Sequence, residues 1–114
     1  MLSKQDNERL TRVGPGTPMG ELMRRYWVPA AYVDTVEQPG GAPVRVRLMC
    51  ENLVMFRDGS GRLGLIDERC PHRTASLYFG RNEKDGLRCV YHGLKFDAGG
   101  HCIDLPCLPQ ANDA

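Results

Sequence analysis

Two short segments constrain this chain more than anything else in it. One reads Cys70-Pro71-His72; sixteen residues later comes Cys89-Val90-Tyr91-His92. Each offers one thiolate and one imidazole beside turn-prone residues. A fold that brings the two loops tip to tip therefore converges two Cys and two His, and two soft plus two borderline donors suit iron–sulfur or zinc chemistry. Structural zinc sites usually open with two Cys a few residues apart, and no Cys-x-x-Cys occurs here. Two loops that each give one Cys and one His instead suit a two-iron cluster, in which one iron takes both Cys and the other both His.

The rest of the composition narrows the setting. At 114 residues the chain is one domain at most. Its 15 basic residues against 14 acidic ones give no electrostatic reason to expect a nucleic-acid or membrane partner. The first nine residues, Met1 to Arg9, are too polar for a signal peptide. No apolar run approaches the roughly 20 residues a membrane helix needs. The expected compartment is the cytoplasm. Five Cys, an odd number with two better used as ligands, fit a reducing compartment.

Residues 1–30 read as an N-terminal arm and helix, and residues 31–114 as the metal-binding unit. Residues 1–16 look like an arm that Val13-Gly14-Pro15-Gly16 closes. Thr17 as N-cap and Pro18 at the first helical position start a helix. It is expected to run to about Tyr26, with Met19, Leu22, Met23 and Tyr26 on one apolar stripe, before Pro29 ends it. Trp27 is expected in the core. From Tyr32 the pattern changes to strands: Val44–Leu48, Leu53–Arg57 and, after an Asp58–Gly61 hairpin turn, Arg62–Asp67. Arg45 and Arg47 read as a solvated strand face. Leu77–Gly80 is a short apolar piece and Arg81–Gly86 a charged turn. Leu87–Val90, Leu94–Asp97 and His101–Leu105 complete the strands, the last two about an Ala98-Gly99-Gly100 turn. Short strands at close spacing with glycine turns predict a mostly β fold, a small antiparallel barrel or sandwich with one N-terminal helix. Cys50, Cys102 and Cys107 read as structural thiols or as thiols without a role, since an apolar-packed Cys is common. His101, in a hairpin and without a partner at ligand spacing, is expected to be exposed.

Cys-Pro-His-Arg from Cys70, and Cys89-x-Tyr91-His92-Gly93-x-Lys95-Phe96-Asp97, resemble the Rieske domain of the ring-hydroxylating oxygenases. Leu10–Gly20, Arg24–Pro29 and Cys70–Phe79 sharpen this towards the phthalate 4,5-dioxygenase-like oxygenase components. The resemblance covers nearly the whole chain. It implies a Rieske-type barrel or sandwich lacking its last strands, and one 2Fe-2S cluster held by Cys70, His72, Cys89 and His92. High-potential Rieske proteins carry an extra Cys in each loop, joined as a disulfide. The matching positions here are Ala75 and Tyr91, so a low-potential cluster of the oxygenase or ferredoxin type is implied. Gly93 is expected to let backbone approach the cluster. Leu94 stands where the family usually has Trp.

The resemblance also implies a role. An NAD(P)H-linked reductase or a ferredoxin donates electrons, with His72 facing the donor and Arg73 steadying the loop or assisting docking. His92 is the electron exit, towards an acidic residue of a neighbouring subunit and a mononuclear non-haem Fe(II). That iron belongs to a catalytic domain these 114 residues do not contain: only three His are present, two already used. This portion is expected to carry electrons for an aromatic-ring oxygenase acting on phthalate-like carboxylates and not to hydroxylate by itself. A stand-alone Rieske ferredoxin and a structural zinc module are the competing readings. Absent closing strands predict an exposed sheet edge and self-association.

Overall fold

A computed structural model describes residues 1–71 and 74–106. Its first element, helix α1 (Lys4–Thr11), replaces the expected arm. Local chemistry explains it. Ser3 caps the helix by accepting from the Asp6 amide at 3.1 Å, Asp6 lies in the first turn, and Arg9 lies in the last. No residue of α1 is buried, so an apolar stripe could not have revealed it. Helix α2 (Pro18–Met23) starts as expected, with Thr17 accepting from the Gly20 amide, but stops short of Tyr26. Gly20 is its one buried residue; a Cβ there would meet Gly14 O at 2.3 Å. Arg24 then ties the segment to the sheet, donating to Val13 O, Met49 O and Glu51 Oε2. Trp27 is not in the core. It is fully exposed, in the stretch without regular structure that follows α2.

A 3-10 turn at Val33–Val36, not a strand, follows. The first sheet comprises β1 (Val44–Leu48), β2 (Glu51–Arg57) and β3 (Leu63–Asp67), antiparallel and in that order. Val46 pairs with Leu53, and Phe56 with Gly64. The second comprises β4 (Arg81–Asn82), β5 (Leu87–Arg88), β6 (Lys95–Phe96) and β7 (Cys102–Asp104), again in chain order. Strand β4 lies inside the piece expected to be only a turn; two residues are too few to show alternation. Among the described residues the strands form two sheets and no closed barrel.

Strand β2 is the middle of the molecule, with Val54, Met55 and Phe56 all buried. Met55 packs with Val36 and Val46 on one side. Val54 and Phe56 face the other, into a core shared with Ile66, Cys70, Leu77, Leu87, Cys89, Leu94 and Phe96. Both Cys of the paired motifs thus belong to the main core. Backbone bonds from Gly59 to Glu83 O and from Ser60 to Lys84 O join the sheets, and Asn82 Nδ2 donates to both Gly41 O and Arg57 O.

Candidate metal centre

The two loops share one backbone frame. In the first, Arg69 and Ser76 face each other as an antiparallel bridge, and Cys70 to Ala75 lie between them. In the second, Arg88 pairs with Lys95, and Cys89 to Leu94 lie between them. The Cys70 amide donates to Ala75 O at 2.8 Å, and the Cys89 amide to Leu94 O at 2.7 Å. The Thr74 amide returns to Cys70 O at 2.7 Å, and the Gly93 amide to Cys89 O at 3.1 Å. The residue making that return has a left-handed backbone in both, with φ of 57° at Thr74 and 80° at Gly93. Each loop is therefore closed by the same pair of backbone bonds about the same left-handed position.

This frame fixes the two Cys. Cys70 and Cys89 stand at the bases of their loops, only 1% and 2% exposed. The core holds their thiols in place, and bulk water does not compete for a metal there. His92, three residues further on, is half-buried, and its ring lies 3.9 Å from that of Tyr91, centroid to centroid. Tyr91 is exposed and Ala75 half-buried against the core. His72, Arg73 and Cys107 lie outside the described residues. Among the described residues no three His, Cys, Asp or Glu side chains surround one point closely enough for a single ion. A two-iron cluster asks for something else, two donors per iron. Paired Cys at the bases of matched loops, with a His further along each, fit that requirement.

The other expected positions divide. His101 is exposed and pairs with Asp97 Oδ1 at 3.3 Å. Cys50 and Cys102 are exposed free thiols. Cys50 sits with Met49 in the β1–β2 turn, where both take positive φ and so turn the side chain outward. Gly93 is needed for its left-handed φ and because Pro106 Cγ would come within 3.0 Å of a Cβ. Leu94, at the position of the family's Trp, is buried in the core.

Four residues beside the loops carry weight that spacing did not assign. Glu68 is buried under the first loop, accepts from Ser76 Oγ at 2.6 Å and pairs with Arg45 at 3.3 Å. Arg45, far from simply solvated, lies 4.2 Å over the Tyr78 ring. Arg69 and Arg88 precede the two Cys. The repeated Arg-Cys dipeptide was the available signal for that pair.

The same carboxylates predict an acid limit. The bond from Ser76 holds Glu68 below the ordinary carboxylate range, against burial and with help from Arg45. The bond from Arg88 does the same for Glu83, again against burial. At Asp58 burial is the largest influence and opposes ionisation, but bonds from Ser60 and Arg62 and the Arg62 charge outweigh it. A carboxyl group depressed on folding stabilises the native state above its unfolded value, about 4, and ceases to as pH falls through its folded value. Resistance to urea is expected to be level in these groups' contribution from about pH 7 to 5 and to fall below about pH 4. Glu83→Gln should make the acid limb shallower; an unchanged limb would rule Glu83 out as a contributor.

A family model described as the Rieske [2Fe-2S] domain matches residues 26–113. The 3-chlorobenzoate-3,4-dioxygenase oxygenase subunit of Comamonas testosteroni is 58% identical over 108 residues, covering 95% of this chain and 25% of that one. The phthalate 4,5-dioxygenase oxygenase subunit of Pseudomonas putida is 49% identical over 113 residues, covering 99% and 26%. Among solved structures, dicamba monooxygenase superposes with a TM-score of 0.62 at 33% identity, over 71% of this chain and 25% of that one. The chain thus spans about a quarter of the length of these relatives. No helix among the described residues is long and apolar enough to cross a membrane.

Proposed function

The chain belongs to the Rieske [2Fe-2S] domain family, and from that premise we propose that it relays single electrons inside a ring-hydroxylating oxygenase system. Cys70, His72, Cys89 and His92 would hold one 2Fe-2S cluster, which would supply one-electron redox chemistry. The observation that carries this reading is the matched pair of loops, each closed by the same two backbone bonds with a buried Cys at its base.

The residues divide the work. Cys70 and Cys89 would hold one iron, and the core around them keeps water from their thiols. His72 and His92 would hold the other iron. Neutral imidazoles in place of two thiolates leave the oxidised centre less negative, so an electron enters more easily than with four thiolates. His92 is the exit: it is half-buried on a loop whose Val90 and Tyr91 are exposed, a setting for close approach of an acceptor surface. A reductase or ferredoxin is the donor and a mononuclear non-haem iron the acceptor, the latter in a catalytic domain of the same or a neighbouring subunit. Residues 31–114 form the cluster-binding unit and residues 1–30 its N-terminal extension. The names of the two curated relatives, a chlorobenzoate and a phthalate dioxygenase subunit, favour an aromatic carboxylate as the substrate of the whole system.

Anaerobically purified protein is expected to contain two irons and two sulfides per chain. On reduction it should give the EPR spectrum of a mixed Cys/His two-iron centre. Iron-free protein holding one zinc would sink the proposal.

A further inference from the structure

Each ligand loop is preceded by an Arg that the cluster itself does not require. Arg69 Nη1 donates to Thr74 O at 3.3 Å, and Arg88 Nη1 donates to Gly93 O at 2.6 Å. The acceptor is equivalent in the two loops: the carbonyl of the left-handed residue that sends the chain back towards its stem. The likeness ends there. Arg69 is exposed. The Arg88 side chain is only 25% exposed, and its whole fork is engaged. Nε and Nη2 donate to Glu83 Oε2 and Oε1 at 2.9 and 3.2 Å, and Nη1 also reaches Asp104 Oδ2 at 2.9 Å. Glu83 follows β4 and Asp104 ends β7, so one guanidinium joins a turn, a strand and the second loop. Lys95 holds Glu83 from the other side at 3.2 Å and Asp85 at 2.7 Å.

We propose that Arg88 is a positioning residue for the cluster: it clamps the second ligand loop shut and sets a positive charge beside Cys89, with Arg69 as its weaker counterpart on the first loop. This rests on Cys89 and His92 being ligands. Two separable consequences follow. Loss of the charge removes the positive group next to Cys89 while the Asp104 and Glu83 carboxylates remain, so reduction becomes harder. Loss of the planar fork frees Gly93 O, so the loop opens and the iron leaves sooner. Lysine retains the charge, but its point-like ammonium cannot fork onto a carboxylate while also holding a carbonyl.

The test uses the full chain loaded with iron and sulfide. Arg88→Gln is expected to lower the one-electron reduction equilibrium about tenfold, ~59 mV, and to speed cluster loss to a chelator about tenfold, as removal of outer partners of a metal ligand does. Arg88→Lys should retain the potential within about threefold while losing the cluster nearly as fast as Arg88→Gln. Arg69→Gln should change either quantity less than about threefold. In metal-free protein, Arg88→Gln should also quicken hydrogen exchange at the Cys89 and Gly93 amides, a readout that needs no cluster. Wild-type potential and chelation rate in Arg88→Gln would overturn the proposal, as would an Arg69→Gln variant that matches it. Should Arg88→Gln not fold, wild-type cluster retention in Arg88→Lys overturns it instead. Failure of the wild type to take up iron would fell the functional reading, and unchanged exchange at Gly93 would fell the clamp independently.

Discussion

Cys89→Ala is expected to abolish the cluster completely: no visible iron–sulfur absorption, no EPR signal on reduction, and no sulfide bound. The argument begins with burial. The Cys89 thiol is 2% exposed and packed among Leu87, Leu94 and Phe96, so no neighbouring water or side chain replaces it. Among the described residues the thiols other than Cys70 and Cys89, those of Cys50 and Cys102, are exposed and not part of this core. Cys89→Ser preserves the shape but offers a harder oxygen, a poorer match to a soft centre, and should retain only a trace. Cys102→Ser should load like the wild type. The stability readout separates binding from packing. Without metal, Cys89→Ala leaves a small cavity worth about 1 kcal/mol. With metal, the gap widens by the binding free energy that only the wild type gains. A Cys89→Ala protein that still binds iron and sulfide stoichiometrically would refute the ligand assignment.

What could be read from the chain, and what could not, follows from the range of each interaction. The hairpin of β2 and β3 was legible because Asp58-Gly59-Ser60-Gly61 is a turn by local chemistry and the flanking runs are apolar. The two matched loops were legible because the spacing of their Cys and His is also local. Helix α1 was not, since its signals are a cap and charge order rather than a stripe. The exposed Trp27 was misplaced because core membership depends on what folds over a residue, and residue type alone does not report that. The Arg88 clamp depends on Glu83, Gly93 and Asp104 meeting from three elements, which no window of sequence brings together. The equal length of the two loops between paired stems was present in the sequence all along. It gained meaning only when Arg69–Ser76 and Arg88–Lys95 were seen as equivalent pairs.

The largest effect on stability is expected at Phe56. Its side chain is wholly buried between the sheets, and Phe56→Ala should cost about 3–5 kcal/mol. That is a large share of the roughly 5–15 kcal/mol that holds a domain together. The reason lies in its partner. Gly64 sits directly across on β3, and a Cβ there would lie 2.9 Å from the Phe56 ring and 2.9 Å from Ala98 Cα. The ring thus fills a space that only glycine leaves open, so little can close in when the ring is removed. The converse substitution tests the same contact. Gly64→Ala should destabilise by roughly 1–3 kcal/mol through overpacking. In a Phe56→Leu background part of that penalty should disappear, while the share due to Ala98 backbone should persist, a coupling that urea unfolding of the double-mutant cycle would measure. Strict additivity would show that Phe56 and Gly64 do not share the space. The effect should reach the metal site as well, because Cys70 and Cys89 belong to the same core cluster as Phe56. Phe56→Ala protein is expected to take up iron more slowly at equal concentration, though every ligand is intact.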